Sequence, residues 1–78
     1  MSVENIINEW DPYSLFPYAP KDEYNNEIDL IENFIKTENN ENKLALFLKN
    51  IFETDIIFEE NKRNFLEISK KILLENKQ

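Results

Sequence analysis

Trp10-Asp11-Pro12-Tyr13-Ser14-Leu15-Phe16-Pro17-Tyr18-Ala19-Pro20-Lys21-Asp22-Glu23-Tyr24 is the stretch that decides how this chain folds. It holds the only Trp and all three Pro of the sequence. Three fixed φ angles and a high aromatic content make it stiffer than a generic linker. It lies between two segments whose apolar residues recur at helical spacing, so it reads as an ordered loop joining two helices. The Asp11-Pro12 step stops the first helix, because a residue before Pro is pushed out of the α region. Tyr13, Leu15, Phe16 and Tyr18 are too apolar for a solvated linker and are expected to lid a helical core. A single helical turn is expected at Tyr13–Phe16.

Upstream, Val3, Ile6, Ile7 and Trp10 form one apolar stripe and predict a helix over 3–10. Ser2 is its expected N-cap, and Glu4 lies in the first turn, where the helix dipole favours an anion. Downstream, Tyr24, Ile28, Ile31 and Ile35 recur at i, i+4, i+7 and i+11, widened by Leu30 and Phe34. They predict a helix over 23–37 capped by Asp22. Its opposite face carries Glu23, Glu27, Asp29, Glu32 and Lys36. Glu32 and Lys36 are an i,i+4 pair worth roughly 0.3–0.5 kcal/mol.

The polar run 37–41 predicts a turn, with Asn39 or Asn40 capping the next helix. Leu44, Phe47, Leu48, Ile51 and Phe52 then predict a helix over 41–53, with Ala45 permitting close approach. Residues 54–58 read either as an extended link or as a helix start capped by Thr54 or Asp55. In both readings Ile56, Ile57 and Phe58 are expected to be buried. Phe65, Leu66, Ile68, Ile72 and Leu73 predict a last helix over 59–75, with Glu59 and Glu60 in its first turn and Lys70 and Lys71 later, matching the dipole. Period-two alternation is nowhere sustained, and neither internal repeats nor long heptad runs occur. The expected fold is an all-α four-helix bundle forming a single domain over 1–78, with an ordered Pro- and aromatic-rich loop between helices 1 and 2.

Composition narrows the function. The 78 residues contain no Cys, His or Gly. Disulfides are excluded, and a small core must be stabilised by helix packing or by oligomerisation. Roughly five Gly would be expected at average usage, so turns must use Pro, Asp or the twelve Asn, and Asn can end helices in the left-handed conformation. Phosphate-cradling Gly loops are impossible. Without His or Cys the commonest acid–base and nucleophilic groups are missing. Ser2, Ser14 and Ser69 stand in no nucleophile motif, so the chain reads as a non-enzyme. Glu23 and Glu27 share a helix face; a buried pair could share a proton or bind a divalent ion, but a solvated face is the simpler reading. No cofactor is implied.

Net charge is −7 and unevenly spread. Residues 1–42 carry ten acids and two bases, whereas 43–78 carry six acids and seven bases. This opposes binding to nucleic acid or an anionic membrane and suits a basic protein partner. Lys62, Arg63, Lys70 and Lys71 are interleaved with Glu59, Glu60, Glu67 and Glu75, so no clean basic stripe results. Five acids on helix 2 are few for a DNA mimic. The sequence offers neither an apolar run of transmembrane length nor a signal-peptide pattern, and a cytoplasmic location is expected.

The series Trp10-Asp11-Pro12, an apolar stretch, Ala19-Pro20, Asp22-Glu23-Tyr24 and then Glu27 resembles the signature of the YugE-like family. These are short uncharacterised proteins found mainly in Bacillus-type bacteria. The resemblance covers nearly the whole chain and departs at Tyr13-Ser14, where a less bulky pair is the family's pattern. It implies an all-α fold and no particular activity.

Three functions remain. The first is a protein-binding module of the immunity, antitoxin or inhibitor kind, acting through helix 2 and the 10–24 loop, with Trp10, Asp11, Tyr18, Asp22, Glu23 and Glu27 as candidate binding residues. The second is a self-associating structural protein, a homodimer without ligand. The third is a metal- or ligand-binding regulator using acids near Asp22 and Glu23. Asp11 also has a structural role open to it, since its carboxylate can accept loop N–H bonds.

Overall fold

The computed structural model describes residues 3–20 and 22–76. Four α-helices follow in order: α1 (Val3–Trp10), α2 (Asn25–Ile35), α3 (Glu41–Ile51) and α4 (Phe65–Asn76). Two short 3₁₀ turns, Thr54–Ile56 and Glu60–Arg63, lie between α3 and α4. The fold is the expected all-α bundle, with its most extensive interface between α3 and α4. The expected cap at Ser2 lies outside the described residues.

The apolar stripes meet in one core. Ile7, Ile31, Leu44, Leu48, Ile57 and Ile72 are fully buried, with Trp10, Tyr24, Ile28, Phe52, Phe65 and Ile68 around them. Each large aliphatic or aromatic side chain so buried contributes about 1.5–3 kcal/mol. Away from the long loops, Phe34 and Phe47 stack face to face at 4.3 Å, tying α2 to α3. Ser69, within the core, turns its hydroxyl back to the Phe65 carbonyl at 2.8 Å, which satisfies the buried group locally.

Helix ends depart from the sequence reading in physically informative ways. The backbone of α1 ends at Asp11, whose φ is 46°. Its N–H bonds the Ile7 carbonyl at 2.8 Å, the single bond of an αL helix cap. Pro12 follows and has no N–H with which to add the second bond of a Schellman cap. The left-handed positions among the described residues are Asp11 and Ser14, so none of the twelve Asn ends a helix in the left-handed conformation.

The predicted start of α2 at residue 23, capped by Asp22, is corrected. Tyr24 occupies the cap position without a side-chain cap bond. A backbone turn, Glu23 N–H to the Pro20 carbonyl and Asn25 N–H to the Asp22 carbonyl, feeds the chain into the helix instead. The helix also stops at Ile35, and Thr37 and Glu38 donate to the Phe34 carbonyl in a closing turn. Lys36 Nζ donates to Asn33 Oδ1 at 3.3 Å.

Asn40 caps α3, its Oδ1 accepting the Lys43 N–H at 3.0 Å. That helix ends two residues before the predicted limit because Phe52 turns extended and buries its ring. The predicted helix over 59–75 starts instead at Phe65. Asn64 Oδ1 accepts the Glu67 N–H at 3.1 Å, and its amide donates to the Glu67 carboxylate at 3.2 Å. This Asn-x-x-Glu cap moves the boundary and leaves Glu59 and Glu60 outside the helix they were expected to begin.

Hydrogen bonds of Trp10 and Asp11 with Lys62, and of Tyr13 with Glu53, bring the two long connections, 11–24 and 52–64, together at one end of the bundle. That end holds the candidate site.

Candidate functional site

Asp11 is the centre of the site. Its left-handed backbone turns the carboxylate back over its own loop, and the residue is only 8% exposed. Oδ1 accepts the Leu15 N–H at 2.9 Å and the Tyr24 O–H at 2.6 Å; Oδ2 accepts the Phe16 N–H at 3.0 Å. The Tyr24 hydroxyl in turn accepts the Tyr13 N–H at 3.0 Å. One carboxylate therefore closes a relay binding the start of the loop to its middle and to the first residue before α2. Such charge-assisted bonds are roughly twice as strong as neutral ones.

The second connection joins the same network. Lys62 Nζ donates to the Asp11 carbonyl at 2.9 Å and to Ser14 Oγ at 3.2 Å, and pairs with Glu59 at 3.1 Å. Trp10 Nε1 donates to the Lys62 carbonyl at 3.0 Å. The Tyr13 hydroxyl accepts the Glu53 N–H at 2.8 Å. Ser14 adopts φ 54° and supplies one of the oxygens that receive Lys62.

Aromatic rings fill the space beneath. Trp10 meets Phe52 and Phe65 edge-on, with centroids 5.2 and 5.9 Å apart. Tyr24 packs against Tyr13, Phe16 and Phe52. Edge-to-face pairs of this kind add about 0.5–1.5 kcal/mol each beyond burial.

The titration of these groups follows from their surroundings. Burial acts to raise the Asp11 carboxyl, but the Tyr24 hydroxyl, the Leu15 and Phe16 N–H groups and the charge of Lys62 outweigh it. The carboxyl is held below the ordinary aspartate value. Burial pushes the Tyr24 hydroxyl well above the usual tyrosine range, reinforced by its bond to Asp11. Tyr13 is raised by burial, with Glu27 and Glu53 adding to the effect and the Glu53 N–H opposing it.

The six candidate residues fall into two groups. Trp10 and Asp11 are buried and hold the loop together. Tyr18, Asp22 and Glu23 are exposed and Glu27 is half-buried. Tyr13, Leu15 and Phe16 pack against the core as expected. Tyr18 does not: it is 94% exposed. The expected turn at Tyr13–Phe16 lies instead at Leu15–Ala19, with Tyr18 and Ala19 N–H on the Leu15 carbonyl. The Phe16–Pro17 peptide bond within it is cis. Once Leu15 and Phe16 are tied inward by Asp11, this turn carries Tyr18 outward.

The second connection also departs from expectation. Ile57 is fully buried, but Ile56 and Phe58 are 44% and 81% exposed. The segment is too short and too tightly turned to bury three consecutive side chains, so its neighbours face solvent. Lys62 and Tyr13 are parts of the lock whose hydrogen bonds the sequence does not announce, although Tyr13 packs against the core as expected. Their backbone partners, the Glu53 N–H for Tyr13 and the Asp11 carbonyl for Lys62, lie 40 and 51 residues away, and no local pattern announces such pairs.

Among the described residues, no group of three or more carboxylates is placed to hold a metal ion, and no helix is long and apolar enough to cross a membrane. Comparison with known proteins returns no matching family model, no similar curated protein and no similar solved structure.

Proposed function

We propose that this chain is a protein-binding module, of the immunity, antitoxin or inhibitor kind, that engages a basic protein through the exposed side of the 10–24 loop and α2. The observation that carries this reading is Tyr18, a large amphipathic side chain held out in solvent by a loop whose interior is fastened to Asp11. Preorganisation lowers the ordering cost of binding, and Tyr is among the residues enriched at interface hot spots. Asp22 and Glu23, four and five residues beyond Tyr18 in the chain, and Glu27, Asp29 and Glu32 along α2, supply a field that draws a basic surface. In this reading Trp10 and Asp11 shape the surface rather than touch the partner, and the chain acts by binding rather than by chemistry. Kinship with the YugE-like family belongs to the proposal and rests on the Trp10–Tyr24 motif.

The test is affinity capture from cells of the source organism, comparing the wild type with a Tyr18→Ala, Glu23→Lys, Glu27→Lys variant shown by circular dichroism to keep its fold. The expected result is a basic protein held by the wild type and lost by the variant. Equal retention by both, or no specific partner for either, overturns the proposal.

A further inference from the structure

The most exposed apolar side chains outside the 10–24 loop include Phe58 at 81% and Leu46 at 63%, with Ile56 and Leu66 less so. They belong to two adjoining features. The first is a knob: Ile56 and Phe58 stand on either side of the buried Ile57, with Asp55 before them in sequence and Glu59 and Glu60 after them, Glu59 being paired with Lys62. The second is a groove between α3 and α4, lined by Ala45, Leu46 and Lys49 on one side and Arg63, Phe65 and Leu66 on the other. Its charged lining residues are Lys49 and Arg63, and among the described residues no carboxylate lines it.

Arg63 joins the two. Its Nε and Nη2 donate to the Ile57 carbonyl at 3.1 and 2.8 Å. The same side chain therefore forms one wall of the groove and fixes the base of the knob, which sets an acidic apolar projection beside a cationic apolar recess on one face. Two such faces are complementary to each other under a two-fold rotation, each knob entering the other copy's groove. The chemistry of the occupant is then specified by the chain itself: apolar tips flanked by carboxylates for an apolar recess flanked by cations.

We infer that a second copy of this chain covers this face, giving an isologous homodimer in which Ile56 and Phe58 of each copy enter the Leu46–Leu66 groove of the other. A domain of this size has a modest core, and closing such a face removes apolar surface that a monomer leaves in water. The α2 and 10–24 surface takes no part, so this inference stands independently of the proposed partner binding.

The experiment is the mass of the full chain in solution by sedimentation velocity over a wide concentration range. The wild type is expected at twice its 9.4 kDa chain mass. Phe58→Asp and Leu46→Asp, each on an exposed site and each checked by circular dichroism to keep its helical content, are expected to raise the dissociation constant about 30-fold or more, as for a hot-spot residue. Lys49→Glu weakens the dimer through charge without touching packing, and serves if Leu46→Asp disturbs the helix. Tyr18→Ala and Glu23→Lys leave the dimer intact. A wild type that stays monomeric at every concentration overturns the inference, as does a dimer that survives Phe58→Asp and both groove variants.

Discussion

Two long connections meet at one end of this bundle, and they are built in different ways. The 11–24 loop is fastened largely from within: one of its own carboxylates receives two of its own N–H groups and the hydroxyl of its last residue. The 52–64 connection is fastened partly from outside, by Tyr13 at Glu53 and by Trp10 at Lys62, and partly by its own Arg63, which holds the Ile57 carbonyl. The first hides its polar machinery and presents Tyr18. The second hides Ile57 and presents Ile56 and Phe58. A loop that carries its own fasteners also carries its own sequence signature. A loop that borrows part of them does not.

The comparison is most easily broken at Trp10, which serves both connections. Trp10→Ala is expected to cost about 3–5 kcal/mol, since it empties the space between Phe52 and Phe65 and leaves the Lys62 carbonyl without its donor. Chemical denaturation measures this. A loss within experimental error of zero would show that the two connections are not held by a shared plug.

Asp11→Ala comes next and separates the two regions. It leaves two loop N–H groups and the Tyr24 hydroxyl without their acceptor and places Ala at φ 46°, so about 2–4 kcal/mol is expected. Asp11→Asn should cost less, because Asn tolerates the left-handed conformation and retains one acceptor oxygen. Equal losses in the two variants would remove backbone conformation from the explanation.

Acid and alkali probe the same lock from both sides. The folded Asp11 carboxyl titrates below its ordinary value of 3.8. Its stabilisation is therefore fully present above that value and is lost as pH falls through the lower folded value. Tyr24 is raised above its ordinary value of 10.0, so its contribution is full below pH 10.0 and is lost as pH rises beyond it. Tyr24→Phe removes the hydroxyl and costs about 1–2 kcal/mol. Denaturation midpoints of this variant and the wild type, followed against pH, should show the Tyr24-dependent alkaline loss in the wild type alone.

The smallest effects belong to the side chains each connection shows to solvent. Tyr18→Ala and Phe58→Ser should each change the stability of the monomer by no more than about 0.5 kcal/mol. A larger loss at either position would mean that the residue is part of the lock rather than of the display.

Much of the fold was legible in the sequence. Apart from Leu30, which is 47% exposed, the stripes of α1, α2 and α3 place their core residues as expected, because helical periodicity is a local property. Asp11 was legible as an acceptor of loop N–H groups from its place before Pro12. The start of α4 was missed although Asn64-x-x-Glu67 carries a capping signature, because the charge pattern at Glu59 and Glu60 suggested an earlier start. Tyr18 and Phe58 were expected inside because aromatics usually report burial. Their exposure depends on where neighbouring atoms are tied: Leu15 and Phe16 to Asp11 in one case, Ile57 to Arg63 in the other. In the sequence Lys62 is only one of several interleaved charges, since its partners Asp11 and Ser14 lie far away in the chain.

The most direct test of the Asp11 lock is amide hydrogen exchange, followed by NMR, at Leu15 and Phe16 in the wild type and in Asp11→Asn. The account predicts slow exchange at both amides in the wild type, comparable with the buried turns of α1, and a marked loss of protection in the variant while α3 and α4 keep theirs. Fast exchange at Leu15 and Phe16 in the wild type would contradict it, for then the carboxylate would not be what holds the loop.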